Sequence, residues 1–315
     1  MSTRDQIRNI RSTALLAPPI TLAPAFRDLP ELSTLLKKGS PYKTLSAVHK
    51  NIGETSAGWF RNFWALGGKV VFDGAEDYFY NPLFIDAAKR SFQAEIIRPV
   101  AMMTNLNLPA KGSPKHLDLP FFRGLQNREV PSWMLASMGY SQLFHEWAIP
   151  VASAITWFYP GPGGDFEYWP DGIDQASKLE TAPFLNRAVL ADNEYMYHRV
   201  GALGPGSKQL AYEDIGYSAT LRLSDEKQWL VEENDNVLYR FDYEEVRISI
   251  LWKAHCFKNQ AEADSYEDHS HDLSAATVVD IFSSALKAKG IQVKEPDDLY
   301  TDEEWKKLLI KEYGR

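Results

Sequence analysis

The sequence predicts a mainly β core with flanking helices, arranged as a double-stranded β-helix (jelly roll) with N- and C-terminal helical buttresses. Two observations predict it. Short strand-like runs broken by Gly- and Asn-containing turns fill residues 96–257, and helical spacing of apolar residues dominates on either side. A β-sandwich would leave much the same pattern.

Each element can be justified in order. The Pro-rich "LAPPITLAPAF" and a short helix over Leu29–Lys38 mark residues 1–95 as a helical extension packed on the main body. In "PLFIDAAKRSFQA" (Pro82–Ala94), Leu83, Phe84, Ala87, Ala88 and Phe92 recur at helical spacing. Pro82 sits in its first turn, where a missing N–H costs nothing. From Ile96, "EIIRPVAMMTNLNL" is strand-like, and "ASAITWFYPGPGGDFEYWP" reads as strand, Gly-rich turn, strand. "VPSWMLASMGYSQLFHEWAIP" is a helical interruption between them. "NRAVLADNEYMYHRVGAL" gives two short strands around a polar bend, and "QWLVEENDNVLYRF" a hairpin turning at Asn-Asp-Asn. A long alternating strand, "EEVRISILWKAHCF", closes the core. Residues 258–315 return to helix, the last one capped by Thr301 with acidic residues in its first turn. The whole chain, 1–315, reads as a single domain.

Composition narrows the function. With 44% hydrophobic and 24% charged residues in 315, the chain can bury a sizeable core. A net charge of −8 and the lack of clustered Lys/Arg argue against a nucleic-acid partner. The single cysteine, Cys256, permits no intrachain disulfide and suits a reducing compartment. No run is long enough to span a membrane, and "MSTRDQIRNIRST" lacks a signal-peptide core. The expectation is a cytoplasmic protein acting on a small-molecule substrate, with no membrane partner. Its oligomeric state is not written in the sequence.

The chemistry concentrates around "PVAMMTNLNLPAKGSPKHLDLPFFRG". His116 and Asp118 stand at i and i+2, so in extended backbone both point to one face and can reach one ion. The preceding Gly112-Ser113-Pro114 turns the chain, and apolar Leu119, Phe121 and Phe122 follow. Two ligands do not hold a metal. His198, 80 residues after Asp118, supplies a third where a strand runs into a Gly-containing loop. Two histidines and one carboxylate on one face of a metal leave the opposite positions open, the arrangement of non-haem Fe(II) oxygenases. As a strand residue bonded to nearby backbone, His198 would need no metal at all. Asp268, His269, His271 and Asp272 form a second polar cluster, read as a solvated loop before a helix. His145 in "HEWAIP" lacks the second histidine of a zinc-protease helix.

Taken in order, His116-X-Asp118, "ITWFYPGPGGDFEYWP", "NEYMYHRVG" and "EEVRISILWKA" resemble the Fe(II)/2-oxoglutarate-dependent oxygenases of the double-stranded β-helix fold (phytanoyl-CoA-dioxygenase-like, within the cupin superfamily). The resemblance covers roughly residues 96–257. It implies that His116, Asp118 and His198 are catalytic metal ligands for Fe(II). It further implies that 2-oxoglutarate chelates this iron as co-substrate and that O2 is consumed. The far carboxylate of 2-oxoglutarate then needs a fixed cation. Arg247-Ile248-Ser249 matches the family's Arg-X-Ser pattern, so Arg247 and Ser249 are assigned to it. Arg247 follows His198 by 49 residues, farther than in many members, where Lys208 would fall. A hairpin insertion over Tyr212–Phe241 explains the gap, and Arg222 is the alternative.

Alternation puts Arg247, Ser249 and Leu251 on one face and Val246, Ile248, Ile250 and Trp252 on the other. A surface strand residue paired with Glu244 or Glu245 is the plain reading of Arg247. Thr104 and Asn105 are candidates for cofactor contact, and Asn107, Phe121, Phe122 and Arg123 for substrate contact. Bonding between strands would account for Thr104, Asn105 and Asn107 equally well, and the plain reading of the other three is core packing for both rings and an exposed arginine. Because the family's halogenases replace the carboxylate ligand with a small residue, Asp118 points to hydroxylation, desaturation or oxidative cyclisation, with release of succinate and CO2. The substrate class expected is an amino acid or a secondary-metabolite intermediate. A cupin-type metalloenzyme that does not use 2-oxoglutarate, or a non-catalytic small-molecule-binding jelly roll, would share most of these features.

Overall fold

In a computed structural model of the chain, which describes residues 17–44, 59–125, 130–210 and 215–314, the strand-rich middle closes as two facing antiparallel sheets. The N-terminal "MSTRDQIRNIRST" lies outside the described residues, as do positions 212–214 of the expected insertion.

The N-terminal part contributes β1 (Ile20–Leu22), α1 (Leu29–Lys38), β2 (Tyr42–Thr44), β3 (Trp59–Leu66), β4 (Lys69–Val70), α2 (Glu76–Phe79) and α3 (Pro82–Phe92). After it come β5 (Ile96–Asn107), β6 (Phe121–Phe122), α4 (Ser132–Ser141) and β7 (Ala148–Ile149). The next run is β8 (Val151–Tyr159), β9 (Phe166–Trp169), β10 (Lys178–Glu180), β11 (Phe184–Ala191) and β12 (Tyr197–Val200). A meander, β13 (Thr220–Leu223), β14 (Gln228–Glu233) and β15 (Asn236–Asp242), precedes the closing strand β16 (Arg247–Phe257). Three helices end the chain: α5 (Gln260–Glu267), α6 (Ala275–Ala288) and α7 (Glu303–Tyr313).

The large sheet contains the order β11-β8-β16-β5, and the small sheet is β10-β9-β12. His116 bridges to His198 and so extends the small sheet beyond β12. The chain therefore alternates: β5 large, His116 small, β8 large, β9 and β10 small, β11 large, β12 small, β16 large. That weave is a double-stranded β-helix and separates it from a simple two-sheet sandwich. Trp157, Phe184, Val189 and Ala191 from the large sheet meet Phe166 and Tyr168 from the small one inside the barrel.

The outer face of the large sheet is apolar because every second residue of β16 is: Ile248, Ile250, Trp252 and Ala254 pack with Leu32, Leu35, Phe79, Phe84 and Ala87. Trp252 is fully buried, and its indole N–H donates to the Phe79 carbonyl at 2.8 Å. Trp252→Ala is expected to cost about 3–5 kcal/mol in a urea titration, from lost contacts plus cavity. A loss below about 1 kcal/mol would show that this face closes over the gap. A second apolar cluster joins α4, α6 and α7 through Met134, Met138, Phe282, Trp305 and Leu309.

Two sequence expectations change. The first 95 residues are not only helical: β1 pairs with β11, and β3 lies between β5 and β2 in the large sheet. Ile20–Leu22 is too short for alternation to register, and its pairing partner is far away in sequence. The cap of α7 is Asp302, whose carboxylate accepts from the Trp305 N–H, rather than Thr301. Helix α5, inside the stretch expected to return to helix, is capped by Asn259. The hairpin turn matches: Asn234 and Asp235 both have positive φ (50° and 62°), as a type I′ turn requires. No helix among the described residues is long and apolar enough to cross a membrane.

Candidate metal centre

His116, Asp118 and His198 come together, each offering one ligand atom within 4.8 Å of the others. Among the described residues, they are the one such group of three. His116 and His198 exchange both backbone hydrogen bonds at 3.0 Å, which fixes their rings side by side with centroids 4.4 Å apart. Asp118 is placed by its own N–H, which donates to the Asn193 carbonyl at 2.9 Å. The ring orientations are also fixed. Nδ1 of His116 lies 2.9 Å from the Pro114 carbonyl, and Nδ1 of His198 lies 3.0 Å from that of Met196. A carbonyl only accepts, so each Nδ1 carries the hydrogen and each Nε2 is the lone-pair nitrogen of the neutral ring. Burial pushes His198 down to about 4, so this ring is neutral at neutral pH.

The two oxygens of Asp118 have different partners. Oδ1 is 3.7 Å from His198 Nε2, and Oδ2 accepts from Lys253 Nζ at 2.8 Å. Lys253 Nζ also donates to Glu194 Oε1 at 2.6 Å. Burial works against the charge of Asp118, but Lys253 and then His198 hold its carboxyl well below the usual range. Burial likewise opposes the charge on Lys253, and Asp118 and Glu194 more than offset it, raising its pKa. Neither Lys253 nor Glu194 was anticipated. Lys253 was legible, because it continues the Arg247, Ser249, Leu251 alternation. Glu194 was not, since only the bend between β11 and β12 turns it toward β16.

Arg247 stands on that same face of β16, at the other end. It is 2% exposed, and its Nε and Nη2 have no hydrogen-bond partner among the described residues. Its guanidinium lies 5.8 Å from the Trp157 ring centroid and 5.6 Å from that of Phe184. Burial pushes it down to about 10, with Tyr159 and Asp165 acting the other way, so it stays charged at neutral pH. It is not a surface residue. Glu245, the partner that a surface reading would give it, pairs with Lys208 instead.

Gly164 makes room for this arginine. Its φ is +69°, and a Cβ there would sit 2.9 Å from Arg247 Cδ and 2.7 Å from Leu203 Cδ1. Gly164→Ala is expected to destabilise by about 1–3 kcal/mol, from strain and overpacking. Thermal or urea unfolding checks it, and unchanged stability would mean that the turn relaxes freely.

Opposite residues on paired strands share a face, which sorts the remaining candidates. Asn107 is opposite Arg247, and Asn105 is opposite Ser249, so both line the inner face. The Asn107 Oδ1 is buried without a partner among the described residues. Thr104 is opposite Ile250 and so faces outward; its hydroxyl donates to the Asn62 carbonyl at 3.3 Å, and its assignment to cofactor contact is corrected. Arg222 is also corrected: it forks onto Glu232 on the distal meander. Arg61, a further cation missed in the sequence, lies opposite Asn105 and donates to its Oδ1 at 2.6 Å. Burial pushes Arg61 down to about 10, while the Asp118 charge acts to raise it.

The stretch after Asp118 divides. Phe121 packs edge-on to His255 at 5.3 Å, on the polar face of β16 beyond Lys253. Phe122 points into the helical cluster beside Phe144, and its place on a substrate wall is withdrawn. Arg123 donates to Ser265 Oγ at 3.1 Å and pairs with Glu262 at 3.5 Å, both on α5. Its assignment to a substrate carboxylate is therefore withdrawn too, because α5 claims it. In the second polar cluster, His269 pairs with Asp272 at 2.9 Å on the surface.

No protein-family model and no curated protein matches the chain. Solved structures are similar to it over most of its length at low sequence identity. A 2OG-Fe(II) oxygenase family oxidoreductase from Burkholderia pseudomallei is 12% identical, with 80% of this chain and 87% of that one covered and a TM-score of 0.41. A prolyl hydroxylase from Trichoplax adhaerens, solved with a hypoxia-inducible-factor peptide, is 13% identical, covering 83% and 92%, with a TM-score of 0.42. HygX from Streptomyces hygroscopicus, solved with nickel, 2-oxoglutarate and hygromycin B, is 8% identical, covering 81% and 88%, with a TM-score of 0.37.

Proposed function

We propose that the protein is a non-haem Fe(II) oxygenase that uses 2-oxoglutarate and O2 to oxidise a C–H bond of a small molecule. One observation carries the reading: a two-histidine, one-carboxylate group and a buried, incompletely bonded arginine share the interior of one barrel. The donor set fits the metal, since two imidazole nitrogens and one carboxylate oxygen suit Fe(II) and leave positions for other ligands. The arginine fits the co-substrate. A buried guanidinium with free N–H groups is costly unless an anion meets it, and a carboxylate meets it bidentately.

His116, Asp118 and His198 would hold the iron, with Nδ1 hydrogen bonds keeping both rings in place. Arg247, assisted by Ser249, would receive the far carboxylate of 2-oxoglutarate, while Trp157 and Phe184 exclude water from that contact and strengthen it. Iron and 2-oxoglutarate, when bound, supply the O2-dependent oxidation of a C–H bond with release of succinate and CO2. Asn107 is available beside Arg247, and Phe121 borders the opposite end. The presence of Asp118 supports hydroxylation, desaturation or oxidative cyclisation over halogenation. An amino acid or a secondary-metabolite intermediate is the substrate class proposed. The buried lone thiol of Cys256 supports a reducing, cytoplasmic setting.

Anaerobic addition of Fe(II) and 2-oxoglutarate tests the reading. A visible metal-to-ligand charge-transfer band is expected, and a folded, metal-loaded sample without the band would refute it.

A further inference from the structure

Resting on that reading, we infer that Lys253, anchored by Glu194, is a positioning residue that confines Asp118 to one-oxygen coordination and so keeps a coordination position of the metal open. The two carboxylate oxygens are not equivalent. Oδ1 faces the histidine nitrogens, 3.7 Å from His198 Nε2, while Oδ2 is occupied by the Lys253 ammonium at 2.8 Å. A carboxylate oxygen that accepts a short charge-assisted bond has less electron density to offer a metal.

Lys253 is itself held. Glu194 Oε1 lies 2.6 Å from its Nζ, and the Glu194 side chain is 1% exposed. Glu194 is rooted in the bend that also supplies the Asn193 carbonyl to the Asp118 N–H and the Met196 carbonyl to His198 Nδ1. One short segment thus fixes His198, the backbone of Asp118 and, through Lys253, its side chain. Three separate parts of the chain meet at one atom, Lys253 Nζ, which bonds both Asp118 Oδ2 and Glu194 Oε1. Stability alone does not explain the arrangement, because a buried ion pair is on average no better than apolar packing of the same volume.

The consequence is a count. Three protein atoms on a six-coordinate metal leave three positions, two for a chelating co-substrate and one for O2. A bidentate Asp118 would take the third.

Mn(II), added to the full-length protein without 2-oxoglutarate, reads this count. Inner-sphere waters are measured by proton relaxivity and by ¹⁷O-water EPR broadening. The native protein is expected to carry three waters on Mn(II). The double variant Lys253→Met/Glu194→Gln, which removes the buried ammonium together with the Glu194 carboxylate that holds it, is expected to bind Mn(II) and carry two.

Three waters on the folded double variant would overturn the inference and leave the proposed function standing. Two waters on the native protein would also overturn it, whether or not the variant folds. Native protein that binds no Mn(II) or Fe(II) would overturn both.

Discussion

Asp118→Ala is expected to lower Fe(II) affinity on the order of a thousandfold, about 4 kcal/mol, and to abolish the charge-transfer band and turnover. The variant removes the carboxylate that faces His116 and His198, and two imidazoles alone do not retain a divalent ion against water. The fold should survive, for a specific reason. Lys253 keeps Glu194 as its partner at 2.6 Å, so the mutation strands no buried cation. Anaerobic metal titration with circular dichroism on the same sample checks both halves. Stoichiometric Fe(II) at native affinity in the folded variant would place the metal elsewhere in the chain.

Arg247→Met should weaken 2-oxoglutarate binding by roughly 10²–10⁴-fold while leaving Fe(II) affinity unchanged. Two charge-assisted hydrogen bonds of about 1.5–3 kcal/mol each would be lost. The effect on stability has the opposite sign. The guanidinium is 2% exposed with Nε and Nη2 unpaired among the described residues, so the ligand-free protein carries its desolvation cost uncompensated. Methionine fills similar volume without that cost, so the ligand-free variant should unfold at the same or a higher temperature. The stabilisation that 2-oxoglutarate gives the native protein should vanish in the variant. Arg247→Lys should not restore binding, because a point charge cannot fork onto a carboxylate between Trp157 and Phe184. Full activity in Arg247→Met would instead favour a cupin-type metalloenzyme that does not use 2-oxoglutarate.

The interior of β16 shows how far sequence reasoning reached. Alternation alone separated Arg247 and Ser249 from Ile248, Ile250 and Trp252, and the packing follows that division. The same rule applied two residues further would have found Lys253. Thr104 failed for the complementary reason: its parity on β5 is set by register against β16, and a neighbouring asparagine of opposite parity looks identical in a polar run. Phe122 and Arg123 failed because their partners, Phe144 and the α5 residues Glu262 and Ser265, lie far along the chain.

What the sequence determined by itself is whatever depends on local period and residue chemistry. That includes the strands of residues 96–257, the helix at Leu29–Lys38, the hairpin turn at Asn234-Asp235, and His116, Asp118 and His198 as residues that could share one ion. Only the tertiary structure decided which oxygen of Asp118 is free, that Arg247 is buried rather than paired with Glu245, and that Glu194 reaches Lys253. Those facts arise where segments distant in sequence are packed within a few ångströms of one another. Their geometry is set by strand register and sheet closure, and neither is written in any local stretch of residues.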